Sequence, residues 1–133
     1  MSIVIDSSVL VAALVDGGAA GVWAERIIAA GDLYSTQILP AEASNILRRF
    51  ERAEIISRPE VNAAHDELIR LPVELVAFSP VASRVWELRH TMTAYDAWYV
   101  AVAEGLRLPL ATLDDKLSRA AGARCKFRLP DQE

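Results

Sequence analysis

Ser2-Ile3-Val4-Ile5-Asp6-Ser7-Ser8, at the start of the chain, is the stretch on which the fold turns. Its apolar part is short and β-branched, has no polar face, and reads as a buried strand that stops at Asp6. A helix over 8–15 follows at once and is broken by Asp16-Gly17-Gly18.

Outward from that start, strands and helices alternate. A helix over 19–30 carries Trp23 and Ile27 on one face and ends at Gly31. A brief extended stretch, Leu33-Tyr34-Ser35, precedes a helix entered through Leu39-Pro40, where the missing proline N–H is not required. On that helix Ala43, Ile46, Leu47 and Phe50 follow the spacing of a core-facing stripe, and Glu42, Asn45, Arg49 and Arg52 lie along a polar one. A helix over 59–71 leads into a strand over 73–78, and Ser79-Pro80 opens a helix to about residue 90. Thr93 opens the next helix, to about residue 104, and Gly105 ends it. A short strand over 108–111, a helix from Asp114 or Asp115 to Gly122 and a terminal strand over 125–129 complete the pattern. Apolar strands alternating with helices imply a parallel sheet covered on both faces, an α/β/α arrangement with about four or five strands. No repeat, linker or shift in composition divides the chain, so 1–133 reads as one α/β domain.

Composition narrows the function. Hydrophobic residues make up 53% and charged residues 24%, which excludes a disordered chain. A core of this size buries roughly two thirds of the unfolded surface, so no disulfide or metal is needed to stabilise it. One cysteine, Cys125, excludes a disulfide framework or a multi-cysteine zinc site and fits a reducing compartment. The early apolar run over 9–15 is far below the roughly 20 residues of a membrane span, and the start lacks a basic leader. A cytoplasmic protein is expected. The net charge of 14 − 18 = −4 argues against holding nucleic acid by bulk electrostatics alone.

The chemistry is sought at the carboxyl ends of the strands, where open parallel sheets bind ligands. Asp6 follows the first strand there, and Asp114 and Asp115 follow the strand over 108–111. Glu42 and Asp96 fall in the first turns of helices that such a sheet places nearby. Converging carboxylates must be relieved by protonation or by a cation, and carboxylate oxygens with retained waters suit Mg²⁺ or Mn²⁺ rather than zinc. Each acid also has a purely local reading. Asp6 or Ser8 can N-cap the first helix, Asp114 can cap the last, and Glu42 suits the positive end of its helix dipole. Thr93-Ala94-Tyr95-Asp96 resembles a capping box. Asp96 strains the local reading most. Ala94-Tyr95-Asp96-Ala97-Trp98-Tyr99-Val100-Ala101-Val102-Ala103 is apolar nearly all round, and a carboxylate starting a buried helix needs a partner.

Four segments in this order, Asp6-Ser7-Ser8, Pro40-Ala41-Glu42 with Asn45 and Leu47, Tyr95-Asp96-Ala97-Trp98-Tyr99-Val100-Ala101 and Thr112-Leu113-Asp114, resemble the PIN domain. The compact length most resembles the VapC-type toxins of bacterial toxin–antitoxin pairs. That resemblance implies an endoribonuclease dependent on Mg²⁺ or Mn²⁺, with Asp6, Glu42, Asp96 and Asp114 as the acidic, metal-binding quartet. It implies that Ser8 supports the first Asp and that Thr112 is the hydroxyl residue before the last acid. It further implies an RNA substrate, a homodimer, and a small cognate antitoxin that enters the acidic groove. Asp115 is either a ligand for a second ion or a surface residue. Setting the quartet aside leaves 14 − 14 = 0, so the remainder need not repel RNA. Arg48, Arg49, Arg52 and Lys116 are candidate phosphate contacts or, equally, solvated helix faces.

Rival chemistries fit less well. A phosphoacceptor receiver needs an acidic pair after the first strand, where Asp6 stands alone. A haloacid-dehalogenase-type phosphatase needs a second Asp where Ser8 stands. His65 and His90 have no neighbouring His or Cys, and no Gly-rich phosphate loop follows a strand. Trp23, Trp86 and Trp98 read as core or interface aromatics, and Cys125 as packing. The rival from another class is a catalytically silent relative that binds RNA or a protein partner; such a chain should lose acids, and all four are present.

Overall fold

Ile3, Val4 and Ile5 are wholly buried because the strand that carries them, β1 (Ser2–Ile5), is the centre of a sheet. The computed structural model describes residues 1–130, so the last three residues of the one-domain reading lie outside the described residues. The other strands are β2 (Asp32–Thr36), β3 (Val73–Val76), β4 (Leu110–Ala111) and β5 (Phe127–Arg128). All five are parallel, in the order β3-β2-β1-β4-β5. Val4 lies in register with Tyr34 on one side and Leu110 on the other. The order reverses at β1, and in such sheets the crevice at the reversal, outside the carboxyl ends, is where ligands bind.

The helices are α1 (Ser7–Val15), α2 (Ala19–Ala29), α3 (Leu39–Arg52), α4 (Arg58–Arg70), α5 (Ala82–Glu87), α6 (Ala94–Leu106) and α7 (Asp115–Ser118). The first four pack on one another. With the right-handed connections that parallel strands take, the crossovers from β1 to β2 to β3 put them on one face of the sheet, and the return to β4 puts α5 and α6 on the other. α6 lies directly on β1, β2 and β4, and six of its residues from Ala97 to Ala103 are buried. On α3, Ala43 and Leu47 are buried and Ile46 and Phe50 half-buried, the expected stripe. No single helix among the described residues is long and apolar enough to cross a membrane.

Several element ends differ from the sequence reading, each for a local reason. The strand expected from 108 begins at Leu110, since Pro109 has no N–H to donate and only its carbonyl serves Val4. The helix expected over 79–90 opens as a single 3-10 turn, Ser79–Val81, and α5 stops at Glu87. Just beyond, the hydroxyl and N–H of Thr91 both turn back to the Leu88 carbonyl. The last helix stops at Ser118, whose hydroxyl takes the Asp115 carbonyl, instead of reaching Gly122. Gly105 does not end α6, which continues to Leu106 and closes at Arg107 in a left-handed conformation with φ 56°.

Candidate functional site

Strand β1 delivers Asp6 to the carboxyl end of the sheet, where it is 6% exposed. Its Oδ1 accepts the Val9 N–H at 3.2 Å, capping α1, and also accepts the Ser8 hydroxyl. The cap and the site are therefore the same residue. Ser8 Oγ in turn accepts the Leu113 N–H at 3.1 Å, fastening the end of β1 to the segment that leaves β4. Thr112 is fully buried beside it; its Oγ1 accepts the Asp114 N–H at 3.0 Å, and its hydroxyl also bonds to Asp6. Asp114 is exposed and caps α7 by accepting the Leu117 N–H at 3.1 Å. Neighbouring Asp115 is exposed and pairs with Arg119 at 3.0 Å.

Asp96 enters from the opposite face, in the first turn of α6, where Thr93 caps the helix by accepting the Asp96 N–H at 3.2 Å. Ala94 and Tyr95 are exposed and burial begins at Ala97, so Asp96 is half-buried where the helix emerges from the core. Glu42 comes from the first turn of α3 and is half-buried.

The electrostatics tie these acids together. Burial pushes the Asp6 carboxyl up to about 6, hydrogen bonds from Ser8, Thr112 and the Val9 N–H work against it, and the charge of Asp96 adds to the rise. Asp96 is also raised, first by burial and then by the charges of Asp114 and Glu42. Asp96 thus links the set, raised by Asp114 and Glu42 and itself raising Asp6.

Tyr99 belongs to this cluster, and the sequence reading assigned it no role. Its hydroxyl donates to Glu42 Oε1 at 2.6 Å, and the residue is 1% exposed. Burial, then the Glu42 carboxylate, holds its ionisation well above the ordinary tyrosine range, so it stays a donor. The available signal was its place three residues after Asp96 on one helix face, since a buried phenol needs a partner.

The basic candidates sit further out. Arg48, Arg49 and Arg52 are exposed on the C-terminal half of α3, Arg48 roughly 9 Å along the axis from Glu42 at 1.5 Å per residue. Lys116 is exposed on α7. His65 meets Ser44 at 3.1 Å, Trp23 is buried, and the exposed Trp86 carries the Arg89 guanidinium 4.4 Å over its ring. A cavity of about 950 Å³ opens at the amino ends of β4 and β5, lined by Arg107, Arg124 and Lys126 among others, and none of the four acids lines it.

Among the described residues, no three His, Cys, Asp or Glu side chains close into a tight metal-holding group. The donor set still fits a hard cation. Mg²⁺ keeps several waters and takes one or two carboxylates, and neighbouring Asp6 and Asp96 carry mutually unfavourable charge that a cation would relieve.

A family model of the PIN domain matches residues 3–123. Ribonuclease VapC1 of Mycobacterium tuberculosis is 35% identical over 127 residues, which span 95% of this chain and 96% of that one. The structure of VapC20 from Mycobacterium tuberculosis, described as a sarcin-ricin loop cleaving toxin, has a TM-score of 0.68 at 22% identity, over 92% of this chain and 96% of that one. VapBC-5 of the same organism, a member of the VapBC family of toxin–antitoxin systems, has a TM-score of 0.58 at 21% identity, over 96% of each chain. At such identities the two structures speak for the fold, while the near full-length sequence match carries the kinship. With the reversed strand order and a match over residues 3–123, the chain belongs to the PIN domain family.

Proposed function

We propose that this protein is an endoribonuclease dependent on Mg²⁺ or Mn²⁺, the toxin of a toxin–antitoxin pair, acting in the cytoplasm on RNA. The observation that carries the reading is the electrostatic linkage of Asp96 to Asp6, Glu42 and Asp114, acids from four separate parts of the chain, beside the strand-order reversal. The name of the relative that matches at near full length, a ribonuclease, supports the activity. Likeness to a toxin–antitoxin assembly supports a small antitoxin as partner. A homodimer is part of the same proposal.

In this reading Asp6 and Asp96 would hold the ion with its retained waters, Glu42 would stand by as a further ligand, and Asp114 would serve a second ion. A bound divalent ion lowers the pKa of its water and stabilises developing charge on a phosphodiester. The chain's own work is to hold the carboxylates ready. Ser8 and the Val9 N–H both settle on Oδ1 of Asp6, so this carboxylate is oriented before any substrate arrives. Ser8 and Thr112 fix the backbone on either side of Leu113, which sets where Asp114 stands. Asp115, already paired with Arg119, plays at most a supporting part. Arg48, Arg49, Arg52 and Lys116 offer exposed cations to RNA phosphates beyond the cleaved bond.

The test is cleavage of total cellular RNA by the purified protein in Mg²⁺ or Mn²⁺, against EDTA and against Asp96→Asn. Discrete products that vanish in both controls are expected, with Asp96→Asn folded as the wild type. RNA left intact under every condition, by folded protein free of antitoxin, would point instead to a catalytically silent module that binds RNA or protein.

A further inference from the structure

We infer that Tyr99 is a positioning residue that aims the Glu42 carboxylate into the acid cluster, an inference that rests on the ribonuclease reading of that cluster. Glu42 lies in the first turn of α3, half-buried, on a long side chain with substantial rotamer freedom to lose. The donor that restrains it comes from the core. Tyr99 is 1% exposed on the helix that lies on β1, β2 and β4, and its hydroxyl reaches Glu42 Oε1 at 2.6 Å across 57 positions of sequence. The place of that hydroxyl is therefore set by close packing and not by a mobile loop.

Packing alone does not ask for a tyrosine here. A phenylalanine would fill the same volume, and a buried phenol hydroxyl is a liability unless something accepts from it. The Thr36 hydroxyl, on the fully buried end of β2, also approaches Tyr99, whereas the charge of Glu42 reaches Asp96 in the cluster. Asp96 and Tyr99 lie three residues apart on α6, so one rigid helix presents an acid to the cluster and a donor to a second acid. With Oε1 engaged by Tyr99, Oε2 of Glu42 is left for a cation. Outer partners that orient ligating carboxylates in this way typically change metal affinity or activity 10–100-fold when removed.

The experiment is a double-mutant cycle on the full chain with Tyr99→Phe, Glu42→Gln and the pair. Mn²⁺ binding is measured by titration calorimetry without RNA, alongside RNA cleavage and the metal-free melting temperature. Tyr99→Phe is expected to weaken Mn²⁺ binding and slow cleavage by about 10–100-fold while the metal-free protein melts close to the wild type. In the Glu42→Gln background the same change should add little, because its effect passes through Glu42. Wild-type Mn²⁺ affinity in Tyr99→Phe would overturn the inference, and so would a loss of equal size in both backgrounds, which marks a packing role. Wild-type protein that neither binds Mn²⁺ nor cleaves RNA would overturn the ribonuclease reading and this inference with it. A wild type that does both, beside an unaffected Tyr99→Phe, would overturn this inference alone.

Discussion

Asp6 shows how much one residue can carry. It caps α1 through the Val9 N–H, receives the Ser8 and Thr112 hydroxyls, and lies 6% exposed within the field of Asp96. Its carboxyl titrates near 3.8 in the unfolded chain and is pushed up to about 6 in the fold, chiefly by burial. The folded protein therefore binds more protons than the unfolded chain between those values, and ionised Asp6 costs about 3 kcal/mol at neutral pH. The metal-free protein should become more stable as pH falls from about 7 to 5. Asp6→Asn should melt higher at pH 7.5 and lose that pH dependence, and millimolar Mg²⁺ should flatten it in the wild type. Melting curves in EDTA and in Mg²⁺ check all three, and a flat metal-free wild-type profile would contradict the burial argument. The acid itself was legible in the sequence because it directly follows a buried strand. Its double use was not, since local spacing offers the cap and the cluster only as alternatives.

At the scale of elements, the helix ends are where sequence rules and structure part. α3 and α6 both finish in the same six-residue closure. The Ile55 N–H reaches back to the Phe50 carbonyl and the Glu54 N–H to that of Glu51, as Leu108 and Arg107 do with Ala103 and Glu104. The reversing residue in each, Glu54 at φ 57° and Arg107 at φ 56°, sits in the left-handed region that glycine usually occupies at this position. Gly105 comes two residues too early to take that place in α6. Where the reversal falls is set by the need to bring Leu108 and Pro109 into line with β4, a tertiary demand that the position of a glycine does not report. Arg107→Gly and Glu54→Gly should each stabilise the protein by about 0.5–1 kcal/mol, as relief of the left-handed strain outweighs the extra freedom of an unfolded glycine. Urea denaturation of the two variants checks this, and a loss of stability would show that the side chains make contacts worth more than the strain.

Across the whole molecule, the C-terminal part of the chain is secured by one charged knot. Arg84 on α5 donates to both oxygens of Glu104 on α6, at 2.7 and 3.2 Å, and to the Gly122 carbonyl at 2.6 Å. Glu104 Oε2 also accepts the Arg124 N–H at 2.7 Å, just before β5. Burial pushes the Glu104 carboxyl up, yet Arg84 and the Arg124 N–H outweigh it and hold it below the ordinary range. A carboxyl depressed in the fold contributes stability above its unfolded pKa and loses it as pH falls through the folded one. Glu104→Gln should therefore cost about 1–3 kcal/mol at pH 7, and the gap to wild type should narrow only once the pH falls below 4.5, as thermal or chemical denaturation across pH will show. Nothing in the spacing of Arg84, Glu104 and Gly122 foretold this knot, because the partners lie 20 and 38 positions apart.

The succession of elements, the α/β class, the burial of β1, the stripe on α3 and the place of Asp6 and Asp114 beyond strands are all written locally in the chain. Those features follow from periodicity, β-branching and the first polar residue after an apolar run, forces that act over a few neighbouring residues. The order β3-β2-β1-β4-β5, the bridge from Ser8 to Leu113 across 105 positions and the grip of Tyr99 on Glu42 across 57 arise on folding. Such contacts depend on which strand lies beside which and on how each helix settles against the sheet. That placement comes from burying the whole apolar surface at once, and no local pattern in the chain encodes it.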